Sequence, residues 1–383
     1  MTGYLFMKDC CNQIIREILE IKTLLTPSNK LLVWALIPYR MTEQGLIQEF
    51  FNTLVLHQEL ENVFAELGLK WKWQPITLEN MDIVIEEVAT SMSDHIPVIL
   101  NYCIGDEILT YPGTRVYELL EARNIPCTGA DSASMKLSTS KIRMKRAFIK
   151  ADIPTARYEV ISDINCLQGI CERLETPLFV KPDMSFSSRG LSLQSVIYND
   201  EQAISQVQRL LQGQHGMQCL YNEIFVERFI TGREFTVFLI GSFKQPDKII
   251  VYPPVEVVFH SKLPETEKFL SYGRYHEKYE EEMPLSPEEP FVRSQLVSTN
   301  LQERLCELAK RAYCAVGGNG FGRVDIRMEK ASQELFVLEV NPNCLIAPSE
   351  TFVGEILNLT DIPFAQLISE IMTEALTRNN IKF

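Results

Sequence analysis

Two short stretches near the carboxyl end carry the densest chemistry in the sequence. Arg323-Val-Asp325 and Glu339-Val-Asn341 each place polar residues two apart inside apolar runs that read as paired strands, Gly322 to Met328 and Leu335 to Val340. Successive side chains of a strand point to opposite faces, so Arg323 shares a face with Asp325, and Glu339 with Asn341. Two carboxylates and a carboxamide oxygen converging there suit Mg²⁺, a hard cation that takes oxygen ligands and shares them with phosphates. Arg323 beside them could neutralise a phosphoryl group in flight. A solvated polar face on an amphipathic hairpin gives the same pattern, and spacing alone does not choose.

Two further segments have the composition of a nucleotide site. Lys181 ends a short apolar strand, Leu178 to Val180, and runs into Pro182 and the loop Ser185-Phe-Ser-Ser-Arg-Gly190. A lysine there can reach phosphate oxygens while loop N–H groups and hydroxyls cradle them. The loop is not a Walker A sequence, and a plain surface turn is the alternative. Val226-Glu227-Arg228-Phe229-Ile230-Thr-Gly232-Arg-Glu234 is a strand feeding a glycine turn. Its two acids, seven residues apart, could grip an adenine and its ribose, or could be surface acids around a structural turn.

The elements that must position these residues fall into two patterns. Up to about residue 136, short apolar runs (Lys30 to Ile37, Ile96 to Leu100) alternate with helical spacing (Leu46 to Leu67, Val116 to Arg123), which predicts an open α/β layer. From Lys141 the order changes: a basic helix, Lys141 to Lys150, then a helix from Glu201 to Leu211, then Ile224 to Glu227, Phe235 to Ile240 and Lys248 to Tyr252 as strands of one antiparallel set. Residues 260–295 are rich in charge, Pro and Tyr and read as a long exposed excursion, a lid or a disordered loop. Helices Leu301 to Val316 and Pro363 to Thr377 close the chain, with Pro363 in a first turn.

Composition excludes several classes. The chain has 383 residues, 46% hydrophobic and 23% charged, as expected of a folded protein of two or three domains. Lys and Arg number 37 against 50 Asp and Glu, a net charge of −13, which argues against general nucleic-acid binding. The longest apolar run, Leu31 to Ile37, is far too short to span a bilayer. The first 25 or so residues carry charges throughout and read as an amphipathic helix, not a secretory signal. Ten scattered cysteines without a Cys-x-x-Cys pair, and five histidines, predict reduced thiols in a cytoplasmic protein, without a zinc site.

In their order the segments resemble the ATP-grasp superfamily and, within it, the D-alanine–D-alanine ligases, over roughly residues 96–378. The motifs are Pro112-Gly113 with Tyr117-Glu-Leu-Leu-Glu121, Ile125-Pro-Cys-Thr-Gly129, Ser140-Lys141, Phe179-Val-Lys-Pro182 with Ser187-Ser-Arg-Gly190, Val226-Glu227 with Gly232-Arg-Glu-Phe-Thr-Val237, Gly322-Arg-Val-Asp325, and Leu338-Glu-Val-Asn341. The resemblance implies an ATP-grasp fold, α/β in its first part and α+β in the nucleotide-binding part. Its three subdomains would cover residues 1–136, 137–225 and 226–383, with a lid at about 260–295 and ATP between the last two. Lys141 and Lys181 look like the phosphate-binding lysines, Ser187 and Ser188 the closing loop, Glu227 and the Ile230 backbone the adenine clamp, and Glu234 the ribose ligand. Asp325, Glu339 and Asn341 resemble ligands of two Mg²⁺ ions, for which Mn²⁺ can substitute. Arg323 would stabilise the transferred phosphoryl, with Ser187, Lys278 and Tyr279 completing the catalytic set. Of the basic stripe Lys141, Arg143, Lys145 and Arg146, only Lys141 would then face ATP, the rest being a solvated helix face.

The departures concern substrates. The family's Gly-Gly turn and following acid, which hold the first D-alanine, are replaced by Ile37-Pro-Tyr-Arg-Met-Thr-Glu43, with Glu43 as a candidate substitute. The Pro-Gly pair after the family's asparagine is replaced by Pro342-Asn-Cys-Leu345 in the segment that approaches the acceptor's carboxylate, so the resemblance implies acceptor contacts from Leu345 and from the lid's Tyr279. The expected activity is therefore an ATP-dependent carboxylate–amine ligase working through an acyl phosphate on amino acids or a small peptide. D-alanine–D-alanine synthesis is the alternative, and a non-catalytic nucleotide-binding regulator a third reading. The resemblance also implies a homodimer formed through the N-terminal part.

Overall fold

A computed structural model describes residues 30–49, 51–104, 107, 110–185, 187–276, 290–349 and 351–381. The amphipathic helix expected at the start of the chain, and Lys278 and Tyr279, lie outside these residues. β1 (Leu31–Pro38) leads into a hairpin of β2 (Arg40–Thr42) and β3 (Gly45–Ile47), then the helix Thr53–Leu67, β4 (Lys70–Ile76), the helix Met81–Ser91 and β5 (Ile96–Asn101). β1 lies between β4 and β5, parallel to both. The helix expected from Leu46 begins only at Thr53. The Asn52 carboxamide oxygen caps it by accepting from the N–H of Leu54 and Val55, and Gly68 ends it in the left-handed region (φ 66°).

After the helices Thr114–Ala122, Ser132–Ser138 and Lys141–Lys150 comes a second, antiparallel sheet. It is built from β6 (Tyr158–Val160), β7 (Leu178–Pro182), β8 (Val196–Ile197) and β9 (Ile224–Arg228), in the order β6-β9-β7-β8. The helices Ile170–Leu174 and Asp200–Gln212 cover it, and together they enclose a core of their own around Val180, Val207 and Val226.

A third sheet contains β10 (Gly232–Ile240), β11 (Ile250–Val251), β12 (Val255–Phe259), β13 (Val292–Leu296), β14 (Phe321–Glu329) and β15 (Leu335–Pro342). The main order is β13-β12-β10-β14-β15, with β11 beside β10. The strand pairing corrects two expectations. β9 joins the second sheet and β10 the third, because Gly232 (φ 127°) turns the chain between them, so the three expected strands are not one set. The expected division at 225/226 thus falls inside β9. The excursion 260–295 is not wholly exposed either. Phe269, Ser271 and Arg274 are buried, and β13 pairs with β12. The helix Lys141–Lys150 packs on the third sheet through Met144 and Phe148, not on the second. The first and third sheets share one core with the helices Phe352–Thr360 and Phe364–Arg378.

Candidate active site

A cavity of about 300 Å³ opens between the second and third sheets. Its charged wall is the β14–β15 pair, whose register sets Arg323 opposite Asn341 and Asp325 opposite Glu339. The pleat brings all four to one face up to a register shift after Asp325. Arg323 donates from Nε and Nη2 to the two Asp325 oxygens, both at 2.9 Å, and Thr236 on β10 donates to Asp325 at 2.8 Å. Asn341 Nδ2 donates to Asp325 (2.8 Å) and to Glu339 (3.2 Å). Burial pushes the Glu339 carboxyl upward, but Lys141, Lys181 and Arg323 outweigh it and hold the group below the usual range. Burial disfavours the Arg323 cation, and Asp325 more than restores it.

The opposite wall is basic. Ser140 caps the helix Lys141–Lys150 by accepting from the Arg143 N–H, and its hydroxyl donates to Asp183, which also accepts from the Ile142 N–H. That pins Lys141 at the end of β7. Its ammonium donates to Ser185 O at 3.0 Å and lies 3.5 Å from Glu339 Oε2. Lys181 lies 2.7 Å from Glu227 Oε1 and 4.6 Å from the centre of the Phe179 ring. Ser187 and Ser188 both adopt positive φ (52° and 59°) in the cavity wall, where the His276 ring donates from Nε2 to Ser187 O at 3.1 Å.

One member of the basic stripe departs from expectation. Lys145 is not on a solvated face: it is 1% exposed, and its ammonium lies 2.5 Å from Glu227 Oε2. Burial lowers its tendency to hold a proton, with Glu227 opposing. For Glu227, burial is outweighed by Lys145 and Lys181 together, and the carboxyl is held at about 2. One carboxylate serves two ammoniums.

The apolar end of the cavity is an aromatic corner. Phe179 meets Phe229 and Phe269 edge-on, with centroids 5.4 and 4.9 Å apart. Beneath it the buried Arg327 donates from Nε to Glu234 (2.8 Å), from Nη1 to Ile230 O (2.8 Å), and to Lys268 O. Burial raises the Glu234 carboxyl above its ordinary range despite Arg327. Arg327 and the three phenylalanines were missed from sequence. Arg327 continues the Arg323-Asp325 alternation, which was a usable signal, whereas the rings come from three distant segments.

At the other end Tyr111, Cys344, Leu345 and Phe352 line the wall, with the Arg323 guanidinium 5.0 Å from the Phe352 ring. Glu43 does not belong to it. Glu43 sits exposed in the β2–β3 turn, because that hairpin directs it outward, and Glu49 is the acid that reaches the wall, 3.5 Å from Tyr111 OH. Asn343, in the left-handed region (φ 49°), ties this end to the first sheet by donating to Asn101 O at 3.2 Å and Tyr117 OH at 2.5 Å.

Two facing sheets, Lys181 on one and a carboxylate–carboxamide set on the other, with Lys141 reaching in from a helix packed on the third sheet, define an ATP-grasp fold, and solved structures agree. The chain is similar to a D-alanine–D-alanine ligase from Bacillus anthracis complexed with ATP, with TM-score 0.59 and 17% identity, covering 91% of this chain and 98% of that one. A D-Ala:D-Ser ligase from Enterococcus faecalis is similar to the same degree, with TM-score 0.59 and 18% identity over 91% and 99%. Residues 147–373, more than half of the chain, match the family described as D-ala D-ala ligase C-terminus, and the protein belongs to that family of ATP-dependent ligases that form C–N bonds. Among relatives, the D-alanine–D-alanine ligase of Acinetobacter baylyi is 27% identical over 264 residues, 69% of this chain and 75% of that protein. No described helix is long and apolar enough to cross a membrane.

Proposed function

We propose that the protein joins two D-alanine molecules, using ATP to activate the carboxylate of the first. The departures at Glu43 and Leu345 argue for other amino acids, but the curated relatives that match are D-alanine–D-alanine ligases, which favours the alternative over the broader reading. The observation that carries the ligase chemistry is the cavity itself, with Lys141 and Lys181 facing Arg323, Asp325, Glu339 and Asn341.

In this reading the aromatic corner and Glu234 take the nucleoside, leaving the triphosphate to run between Lys181, Lys141 and the Ser187-Ser188 turn. The donor carboxylate oxygen attacks the γ-phosphorus, the bond to the β,γ-bridging oxygen breaks, and ADP carries away the electron pair. The amine of the second amino acid then attacks the acyl carbon, loses a proton, and inorganic phosphate leaves. No protein nucleophile is needed; the side chains align charges and neutralise them. Arg323, between the carboxylates and the Phe352 end, meets both the transferred phosphoryl and the acceptor's carboxylate.

The donor set fits Mg²⁺, since two carboxylates and a carboxamide lie within one hydrogen bond of each other. Asp325, Glu339 and Asn341 would hold the metal, Asn341 turning its amide to present Oδ1. Bound there, the ion supplies charge neutralisation on the phosphate oxygens. Among the described residues no group of three His, Cys, Asp or Glu side chains could hold a metal. A homodimer, Mn²⁺ in place of Mg²⁺, a cytoplasmic location and the three-subdomain division belong to the same proposal.

The test is phosphate release from Mg·ATP with D-alanine in one arm and pooled L- and D-amino acids and short peptides in another. Release with D-alanine, with the dipeptide found by mass, is expected. Release only with the pool would move the activity to another amide product.

A further inference from the structure

We propose that Lys145 is a positioning residue for the nucleotide, acting through Glu227 to keep Lys181 half-released and ready for phosphate; this rests on the ATP-dependent ligase reading above. Lys145 has no part in the cavity wall. One helical turn after Lys141, it points into the protein, where Glu227 Oε2 (2.5 Å), Thr155 Oγ1 (2.9 Å) and Ala156 O (3.4 Å) surround its ammonium. It donates hydrogen bonds to Thr155 and Ala156 and forms an ion pair with Glu227, so the ammonium is held from three sides. Thr155 in turn donates to Val337 O on β15, two residues before Glu339. Lys145 therefore belongs to the third-sheet side of the cavity, Glu227 to the second sheet, and their ion pair crosses between them.

A buried lysine costs more than an apolar side chain of the same size unless its charge is used. Here its use is competition. Each Glu227 oxygen has its own ammonium, Lys145 on Oε2 and Lys181 on Oε1. A single carboxylate cannot neutralise both, and the two cations repel across it. Lys145 has no solvent to turn to, at 2% side-chain exposure, whereas Lys181 is 14% exposed and lines the cavity. The surplus charge therefore falls on Lys181, the member able to swing toward an arriving polyphosphate. Without Lys145, Glu227 and Lys181 close into a neutral pair that the nucleotide has to break.

The experiment compares wild type, Lys145→Met and Lys145→Arg in equilibrium binding of Mg·ATP, in the KM values for ATP and D-alanine, and in thermal melts. Loss of one charge-assisted contact predicts ATP binding and its KM about tenfold weaker in Lys145→Met, with the amino-acid KM unchanged. Lys145→Arg keeps a cation beside Glu227, so its ATP affinity should stay within about threefold of wild type even where its melt is lowered, which ties the effect to charge and not to packing. Should Lys145→Met fail to fold, Lys145→Gln, which keeps a polar partner for Thr155, carries the test by the same criterion. Unchanged ATP affinity in the uncharged variant, or Lys145→Arg weakened as much as that variant, overturns the proposal alone. A wild type that does not bind Mg·ATP overturns the ligase reading instead.

Discussion

Replacing Glu227 with Gln keeps its shape and removes the anion between Lys145 and Lys181. The two lysines bring its carboxyl from 4.5 to about 2, worth about 3 kcal/mol at 1.36 kcal/mol per unit. A group with a depressed folded pKa stabilises fully above its unfolded value and loses that contribution as pH falls, here between about 4.5 and 2. At pH 7 the whole contribution is present, so Glu227→Gln should lose about 3 kcal/mol. The variant also leaves Lys145 buried without its counter-ion, and Lys145 then relieves the strain by giving up its proton. A lysine whose folded pKa is lowered binds fewer protons folded than unfolded, so the variant's stability rises with pH toward the ordinary lysine value of about 10.4. Urea denaturation at pH 5.5, 7 and 8.5 should show a deficit that is largest at 5.5 and narrows at 8.5. A deficit that is constant across the three, or absent at pH 5.5, would refute the reasoning.

Asp325→Asn should reduce phosphate release by at least about a hundredfold, because it removes a metal ligand and the partner of Arg323; metal-free ATP binding, read by calorimetry, should change by less than about fivefold. Phe269→Ala opens the aromatic corner and should raise the KM for ATP without altering that for D-alanine, and a shift in the D-alanine KM alone would count against the nucleoside assignment. Gly129→Ala would place a methyl 1.9 Å from Asn343 Oδ1 at φ 82°, and should lower stability by about 2 kcal/mol in a melt, with the amino-acid KM rising as Asn343 is displaced.

Much of this site was legible because its residues lie on regular elements. Alternation along β14 and β15 places Arg323, Asp325, Glu339 and Asn341 together, and only the pairing register had to be supplied by the fold. Lys181 and Glu227 were legible as neighbours of a cavity but not as partners, since that contact joins β7 to β9 across 45 intervening positions. Lys145 was misjudged by its type. Its place four residues after Lys141 and three before the buried Phe148 put it on the inward side of the helix, and periodicity outranked charge there. Glu43 failed for the opposite reason, because a short hairpin follows β1 where an acid near the substrate was expected.

The continuous core beneath the first and third sheets has a mechanical consequence. Strands β1, β5, β10 and β14 and the two last helices share one apolar interior, while the second sheet closes its own around Val180 and Val226. The protein is thus a broad anvil and a separate jaw. Arg323, Asn341, Leu345 and Phe352 are fixed to the anvil; the jaw brings Lys181, Ser187 and Phe179. The cavity lies between the two, and the buried Lys145–Glu227 ion pair is a charged tie that links jaw to anvil beside it. Leu345 and Phe352, at the end of the cavity away from the aromatic corner, thus sit on the anvil, apart from Lys181 and Phe179 on the jaw.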